Sequence, residues 1–295
     1  MMIAAIIILI VICAVILYLI KPAKRRIEKL PCLLFAHRGL HGKGIPENSI
    51  AAFKNAKEKG YGVELDVRLT KDKKLVVFHD DDLKRMCGDD IKLKEADYKD
   101  LNSCRLYGTD ETIPLFSDAL KVLEGMPVIC EIKAGTDDPT AEICEAVCSE
   151  IKDYSGFICI ESFNPFIVQW FRKNRPDIIR GQLSMNFLKN RNQLGFWQAF
   201  LMTNLFVNVF SRPDFIAYRF DDKSFGYFLC RMIFNPLLVA WTVKDEQARK
   251  KAEILYDAVI FEEETQLPGS RMALEHVALR HRKHPNHPLC IWYEL

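Results

Sequence analysis

Apolar and polar positions change period in a regular order along this chain. Met1 to Ile20 carries no charge, and Ile3 to Ile20 is almost wholly aliphatic, long enough to cross a bilayer as a slightly short helix. A short basic linker ends near Leu30. Leu33 to Ala36 then reads as a buried-type strand that delivers His37-Arg38-Gly39 at its C-terminal end. Pro46-Glu47-Asn48-Ser49 opens a helix, with Asn48 or Ser49 as its cap, that turns Ile50, Phe53 and Ala56 inward and stops at Gly60. Next, Val63, Leu65, Val67 and Leu69 alternate with Glu64, Asp66 and Arg68, the period-two signature of a strand. A Lys-Asp-Lys-Lys turn leads into Leu75 to Phe78, which stops at His79.

The alternation continues to the end. Strands are expected at 128–133, 157–160, 178–183, 215–218, 237–243 and 258–261, and helices at 117–123, 140–151, 165–173 and 245–252. Counted with the strands at Leu33 and Gly62, the pattern gives eight repeats of strand and crossover, which predicts an α/β fold, a TIM (β/α)8 barrel preceded by an N-terminal transmembrane helix. An open doubly wound sheet is the alternative; no G-x-G-x-x-G follows the first strand. The division expected is residues 1–30 as anchor and basic linker and 31–295 as barrel, with a hydrophobic insertion at about 186–212. Within that insertion, 192–211 carries no charge, and its apolar residues point in nearly every direction of a helix. A helix lying in the membrane interface beside the anchor is expected, with Phe225 to Phe234 extending the same patch, in preference to a helix packed on the barrel.

A secretory signal peptide competes with the anchor reading. No Lys or Arg precedes the apolar run and no A-x-A follows it, whereas Lys21, Lys24, Arg25 and Arg26 come directly after it. The positive-inside rule then predicts a single-pass protein of the cell membrane with everything after the helix on the cytoplasmic side. Ten scattered cysteines without a C-x-x-C pair agree with a reducing compartment. A net charge of +2 argues against nucleic acid as a partner. His276, His281, His284 and His287 have no cysteine or acid at finger-like spacing and are not read as a metal site.

The chemistry gathers where a TIM barrel keeps it, at the C-terminal ends of the strands. His37 and Arg38 follow the first strand, Glu64 and Asp66 are placed at the end of the second, Glu131 and Lys133 at the end of the third, and Trp241 late in the seventh. Glu64 and Asp66 project from one face a pleat apart, so both carboxylates reach a single hard cation. The plainer reading of that stretch is a solvated edge hairpin. Trp241 is read either as core or as substrate lining. Glu47, at a helix start, is assigned to the helix dipole in preference to a metal.

His37-Arg38-Gly39, Pro46-Glu47-Asn48, Glu64-Leu65-Asp66-Val67, Thr70-Lys71-Asp72, Val76 to Asp80, Ile113-Pro114-Leu115, Glu131-Ile132-Lys133, Ser162-Phe163 and Trp241-Thr242-Val243 together resemble the glycerophosphodiester phosphodiesterase family, from Leu33 to about Phe261. The resemblance implies a barrel that hydrolyses glycerophosphodiesters to glycerol 3-phosphate and an alcohol. It implies His37 and His79 as general acid and base, Glu64, Asp66 and Glu131 as ligands of a divalent cation, and Arg38 and Lys133 as phosphate binders. Oxygen-only ligands favour Mg²⁺ or Ca²⁺. The adjacency of Asp80 favours His79 as the base and leaves His37 as the acid. One departure stands at the end: where the family has a Thr-Asp pair and a proline, this chain reads Phe261-Glu-Glu-Glu-Thr265, which affects that side of the substrate pocket and leaves the catalytic set intact. Two other functions remain open, a lysophospholipase D acting on lysophospholipids with the same site and a catalytically silent barrel that binds lipid or a partner.

Overall fold

The computed structural model describes residues 1–24, 27–135, 138–189, 191 and 194–262. The C-terminal histidines, Glu263-Glu264-Thr265, Arg25 and Arg26 lie outside the described residues, as does the end of the expected 31–295 unit. Nine strands are described: β1 (Leu34–Ala36), β2 (Gly62–Leu69), β3 (Leu75–Val77), β4 (Val128–Ile132), β5 (Ile158–Ser162), β6 (Arg180–Ser184), β7 (Phe215–Arg219), β8 (Leu237–Val243) and β9 (Ala258–Phe261). Eight of them pair parallel in the order β1-β2-β4-β5-β6-β7-β8-β9, and β9 returns to β1, so the sheet closes into a TIM barrel. β3 is outside the ring, antiparallel on β2. The helices are α1 (Met2–Ile20), α2 (Ile50–Glu58), α3 (Lys84–Cys87), α4 (Tyr98–Leu101), α5 (Phe116–Val122), α6 (Thr140–Glu150), α7 (Pro165–Asn174), α8 (Phe196–Thr203), α9 (Asn208–Ser211), α10 (Phe225–Phe234) and α11 (Glu246–Leu255).

Strand parity sorts the core. Ala36, Val63, Leu65, Cys130, Ile160, Ile216 and Ala240 point outward and pack under the helices. Phe35, Ile129, Cys159, Phe215, Val239 and Ile260 point inward and fill the floor of the barrel. Two large rings fit there because glycines face them. A Cβ on Gly62 would stand 2.6 Å from the Phe35 ring, and one on Gly181 2.1 Å from Phe215. One pleat nearer the C-terminal rim, the same inward parity carries Glu64, Asp66, Glu131, Glu161 and Trp241.

Two expectations need correction. β2 does not end at Asp66; it runs to Leu69 because the β3 hairpin prolongs its pairing beyond the ring. The uncharged insertion is two helices, not one. α8 stops at Thr203, and Leu205 adopts φ 61°, which breaks the helical path before α9. Part of the insertion packs on the barrel, where Ala199 and Leu205 are fully buried, while Phe196 and Trp197 are exposed. Residues 81–115 carry no element in the periodicity. They fold as short helices around a small separate core of Phe78, Leu83, Met86, Leu93, Leu101, Leu106 and Ile113. Such four-residue helices are too short to show a 3.6 period.

α1 is long and apolar enough to cross a membrane, and only 6% of its apolar window is buried. Its last turn is docked. Ile20 is fully buried, and the Ala23 amide donates to the Pro213 carbonyl at 2.9 Å.

Candidate active site

The rim is built from the first two strands and the loop between them. Leaving β1, the His37 amide donates to the Phe261 carbonyl, and the Arg38 amide donates to Glu64 Oε2 at 3.0 Å. Arg38 and Asn48 both hold φ 54°, an uncommon backbone region for residues other than glycine that persists only where neighbours over-determine it. Here they do. The Asn48 amide donates to the Arg38 carbonyl at 2.8 Å and its Nδ2 donates to Asp66 Oδ2 at 2.8 Å, while Ser49 caps α2 through the Ala52 amide.

Glu64, Asp66 and Glu131 are 2%, 1% and 8% exposed, and one ligand oxygen from each lies within 4.8 Å of the others. The solvated-hairpin reading is therefore excluded. Lys133 Nζ stands 2.7 Å from Glu131 Oε1 and 3.1 Å from Asp66 Oδ1, and Arg38 Nε is 3.4 Å from Asp66 Oδ2. Burial and the charges of Asp66, Glu131 and Glu161 push the Glu64 carboxyl well above its ordinary value. Burial also raises Asp66, but Lys133, His79, Arg38 and the Asn48 hydrogen bond outweigh it and hold that carboxyl well below the usual range. Glu131 is raised by burial, with Lys133 opposing. Three buried carboxylates beside two cations, two of the acids raised chiefly by burial, make a donor set that fits a hard divalent cation.

Glu161 is 1% exposed on β5 opposite Glu131, its Oε2 has no hydrogen-bond partner, and burial followed by the Glu131 charge raises its carboxyl well above the ordinary value. Glu262 belongs to the departure expected to affect only that side of the substrate pocket. It stands beside His37, with carboxylate oxygens 3.7 Å from His37 Nδ1 and 3.7 Å from His41 Nε2. The His37 contact draws Glu262 down to about 2, while burial lowers the His37 imidazole against the pull of Glu262. Counting by twos from Cys159 to Glu161 and from Ile260 to Glu262 would have placed both on the inward face.

On the other side, His79 Nδ1 is 2.6 Å from Asp80 Oδ1. Asp80 Oδ2 accepts from Arg85 Nε at 2.6 Å, Arg85 donates to both oxygens of Glu47, and Glu47 accepts from Arg38 at 2.7 Å. A continuous chain of ion pairs thus joins His79 to Arg38. Glu47 serves neither the helix dipole nor the carboxylate cluster; its carboxylate bridges two guanidiniums. Trp241 lies on the far arc of the rim, edge-on to Phe163 at 5.4 Å, with its indole Nε1 buried and without a hydrogen-bond partner.

This arrangement offers a cluster of oxygen donors, two cationic side chains beside it and two imidazoles, each next to a carboxylate. It suits stabilisation of a phosphoryl group with proton transfer on either side. The sequence profile of the glycerophosphoryl diester phosphodiesterase family matches residues 37–263. A glycerophosphodiester phosphodiesterase from Caldanaerobacter subterraneus is 36% identical over 163 residues, 51% of this chain and 66% of that protein. A human lysophospholipase D is 30% identical over 125 residues, 38% of this chain and 40% of that protein. These matches span between two fifths and two thirds of the relatives' own length. Among solved structures, a Thermotoga maritima glycerophosphodiester phosphodiesterase superposes with a TM-score of 0.59 at 26% identity, covering 78% of this chain and 94% of that one. Motif order, barrel and profile agree, and the chain belongs to the glycerophosphoryl diester phosphodiesterase family.

Proposed function

We propose that this protein is a divalent-cation-dependent phosphodiesterase that cleaves glycerophosphodiesters to glycerol 3-phosphate and an alcohol, held to the cell membrane by α1 with the barrel on the cytoplasmic side. The observation that carries the reading is the burial of Glu64, Asp66 and Glu131 within 4.8 Å of one another, beside Arg38 and Lys133. Glu64, Asp66 and Glu131 hold the ion, Mg²⁺ or Ca²⁺. What a bound cation supplies there is positive charge against the negative charge that builds on the non-bridging phosphoryl oxygens. Arg38 and Lys133 orient the phosphate from the sides and add to that charge.

The proton work falls to the histidines. Asp80 fixes the His79 ring through Nδ1 and leaves its Nε2 free to take a proton from the attacking group, the neighbouring hydroxyl of the substrate's glycerol, whose oxygen bonds to phosphorus as the alkoxide leaves; water then opens the resulting cyclic phosphate to glycerol 3-phosphate. His37, held between Glu64 and Glu262, gives its proton to the departing alkoxide oxygen. Trp241 and Phe163 line the side of the pocket away from the ion. A second substrate class, lysophospholipids, is favoured by that aromatic side.

Incubation of the protein with glycerophosphocholine and either Mg²⁺ or Ca²⁺ tests the reading. The expected products are glycerol 3-phosphate and choline, with loss of turnover on chelation. Phosphocholine and glycerol as products, or turnover indifferent to chelator, would refute it.

A further inference from the structure

We infer that the insertion between β6 and β7 seats the mouth of the barrel on a phospholipid bilayer, so that the hydrocarbon of a lipid substrate lies along an aromatic arc of the rim. This deepens the phosphodiesterase reading and rests on it for the substrate, but the docking itself does not.

The insertion grips the membrane-length helix at one end. Asn208 Nδ2 donates to the Ile20 carbonyl at 2.8 Å, and an Arg212 N–H group donates to the carbonyls of Tyr18 and Lys21 at 2.8 and 2.6 Å. The Arg212 guanidinium also lies over the Tyr18 ring at 4.7 Å. A helix leaves its last carbonyls without partners, and here the barrel supplies them. α1 therefore leaves the domain at a fixed place, as a strut and not a tether.

At its other end the insertion forms part of the mouth. The inner face of α8 buries Ala199 against Met185 and Phe187, with Phe163 and Trp241 packed on the same cluster. Its C-terminal turn is pinned to the ends of β6 and β7, where Ser184 donates to the Met202 carbonyl at 2.7 Å and Tyr218 to the Thr203 carbonyl at 2.9 Å. The rim is thus divided. β1, β2, β4 and β5, with Glu262 after β9, carry its charged half, and the segments after β5 and β6, with β8, carry an aromatic half of Phe163, Phe187 and Trp241, edged by the Lys189–Asp222 ion pair.

The outer face of α8 is bare. Trp197 is 72% exposed and Phe196 53%, and on α10 Phe225 is 74% and Met232 82% exposed. No charged residue interrupts the chain from Leu194 to Ser211. This apolar face is continuous, through α9, with the end of a helix made to lie in lipid, which commits its occupant to the bilayer and not to another protein. An aromatic band at the lipid–water boundary matches the residue types. A diester with one hydrocarbon chain would then meet the charged half with its phosphate and the aromatic half with its chain.

The full chain in vesicles of phosphatidylcholine with bromine-labelled acyl chains provides the first test. Tryptophan quenching by the bromines should be strong in the wild type and should fall markedly in Trp197→Phe. Equal quenching in both proteins, or none, overturns the docking. In the second test, Phe196→Glu combined with Trp197→Glu should slow hydrolysis of lysophosphatidylcholine in those vesicles by about tenfold and leave hydrolysis of dissolved glycerophosphocholine within about twofold. Equal loss on both substrates, or loss on neither, overturns the lipid route. A wild type that cleaves neither substrate removes the phosphodiesterase reading and the lipid route together, and the quenching result then decides the docking alone.

Discussion

Glu64→Gln should be silent without a divalent cation and defective with one. Burial and three neighbouring acids raise the Glu64 carboxyl, so in the ion-free fold it tends toward the neutral form, which glutamine copies in shape and charge. A carboxyl whose folded pKa is raised contributes stability that is fully present below its unfolded pKa and is lost as pH rises through the folded value. The ion-free protein should therefore melt lower at pH 8 than at pH 6, and an added cation, which replaces those protons, should raise the melting temperature more at pH 8. At a free cation concentration of about 100 times Kd, linkage gives roughly 2.7 kcal/mol. At about 2–4 °C per kcal/mol for a domain of this class, the melt should move up by roughly 5–11 °C. Circular dichroism melts in detergent, with Mg²⁺, Ca²⁺ or chelator, measure this. The variant should match the wild type in chelator and lose most of the cation-induced increment. A full increment in Glu64→Gln, or none in the wild type, would refute the assignment of the carboxylate cluster.

Glu161→Gln should leave the chelator melt nearly unchanged, because its carboxyl is also pushed toward the neutral form; a large rise would show that the wild-type group is ionised and strained. Asp80 is the opposite case. Although burial raises it, bonds to His79 and Arg85 hold it far below the ordinary carboxylate range, so it contributes stability above its unfolded pKa that is lost as pH falls through the folded value. Asp80→Asn should accordingly be less stable at neutral pH and lose less than wild type on acidification, as acid titration followed by intrinsic fluorescence would report. Arg212→Ala removes two hydrogen bonds to the end of α1 and should speed tryptic cleavage after Lys24; an unchanged cleavage rate would show that the junction is not held closed by Arg212.

The barrel was legible because a parallel sheet covered on both faces writes each strand as a short apolar run, and helices of ten residues or so write their own period between them. His37, Glu64, Asp66 and Glu131 were legible because polar residues interrupt those runs where core would otherwise stand. Glu161 and Glu262 obey the same parity but lie outside the motifs that drew attention, and their importance comes from across-ring neighbours that sequence spacing does not encode. Glu47 was misassigned for a related reason. Its partner Arg85 comes from the 81–115 excursion, 38 positions away, whose four-residue helices carry no readable period. The packing of one face of α8 on the barrel was hidden too, since an uncharged segment reads the same whether its apolar residues meet protein or lipid.

The central claim is that two histidines divide the proton transfers around one phosphoryl group. Help from a general acid matters when the leaving group is a poor one and little when it is a nitrophenolate. His37→Ala and His79→Ala should each lose about 10²–10⁴-fold on glycerophosphocholine. On a nitrophenyl ester of glycerol phosphate, His37→Ala should regain most of its rate while His79→Ala stays inactive. Recovery of both variants, or of neither, would contradict the account and leave the histidines as groups that only position the phosphate.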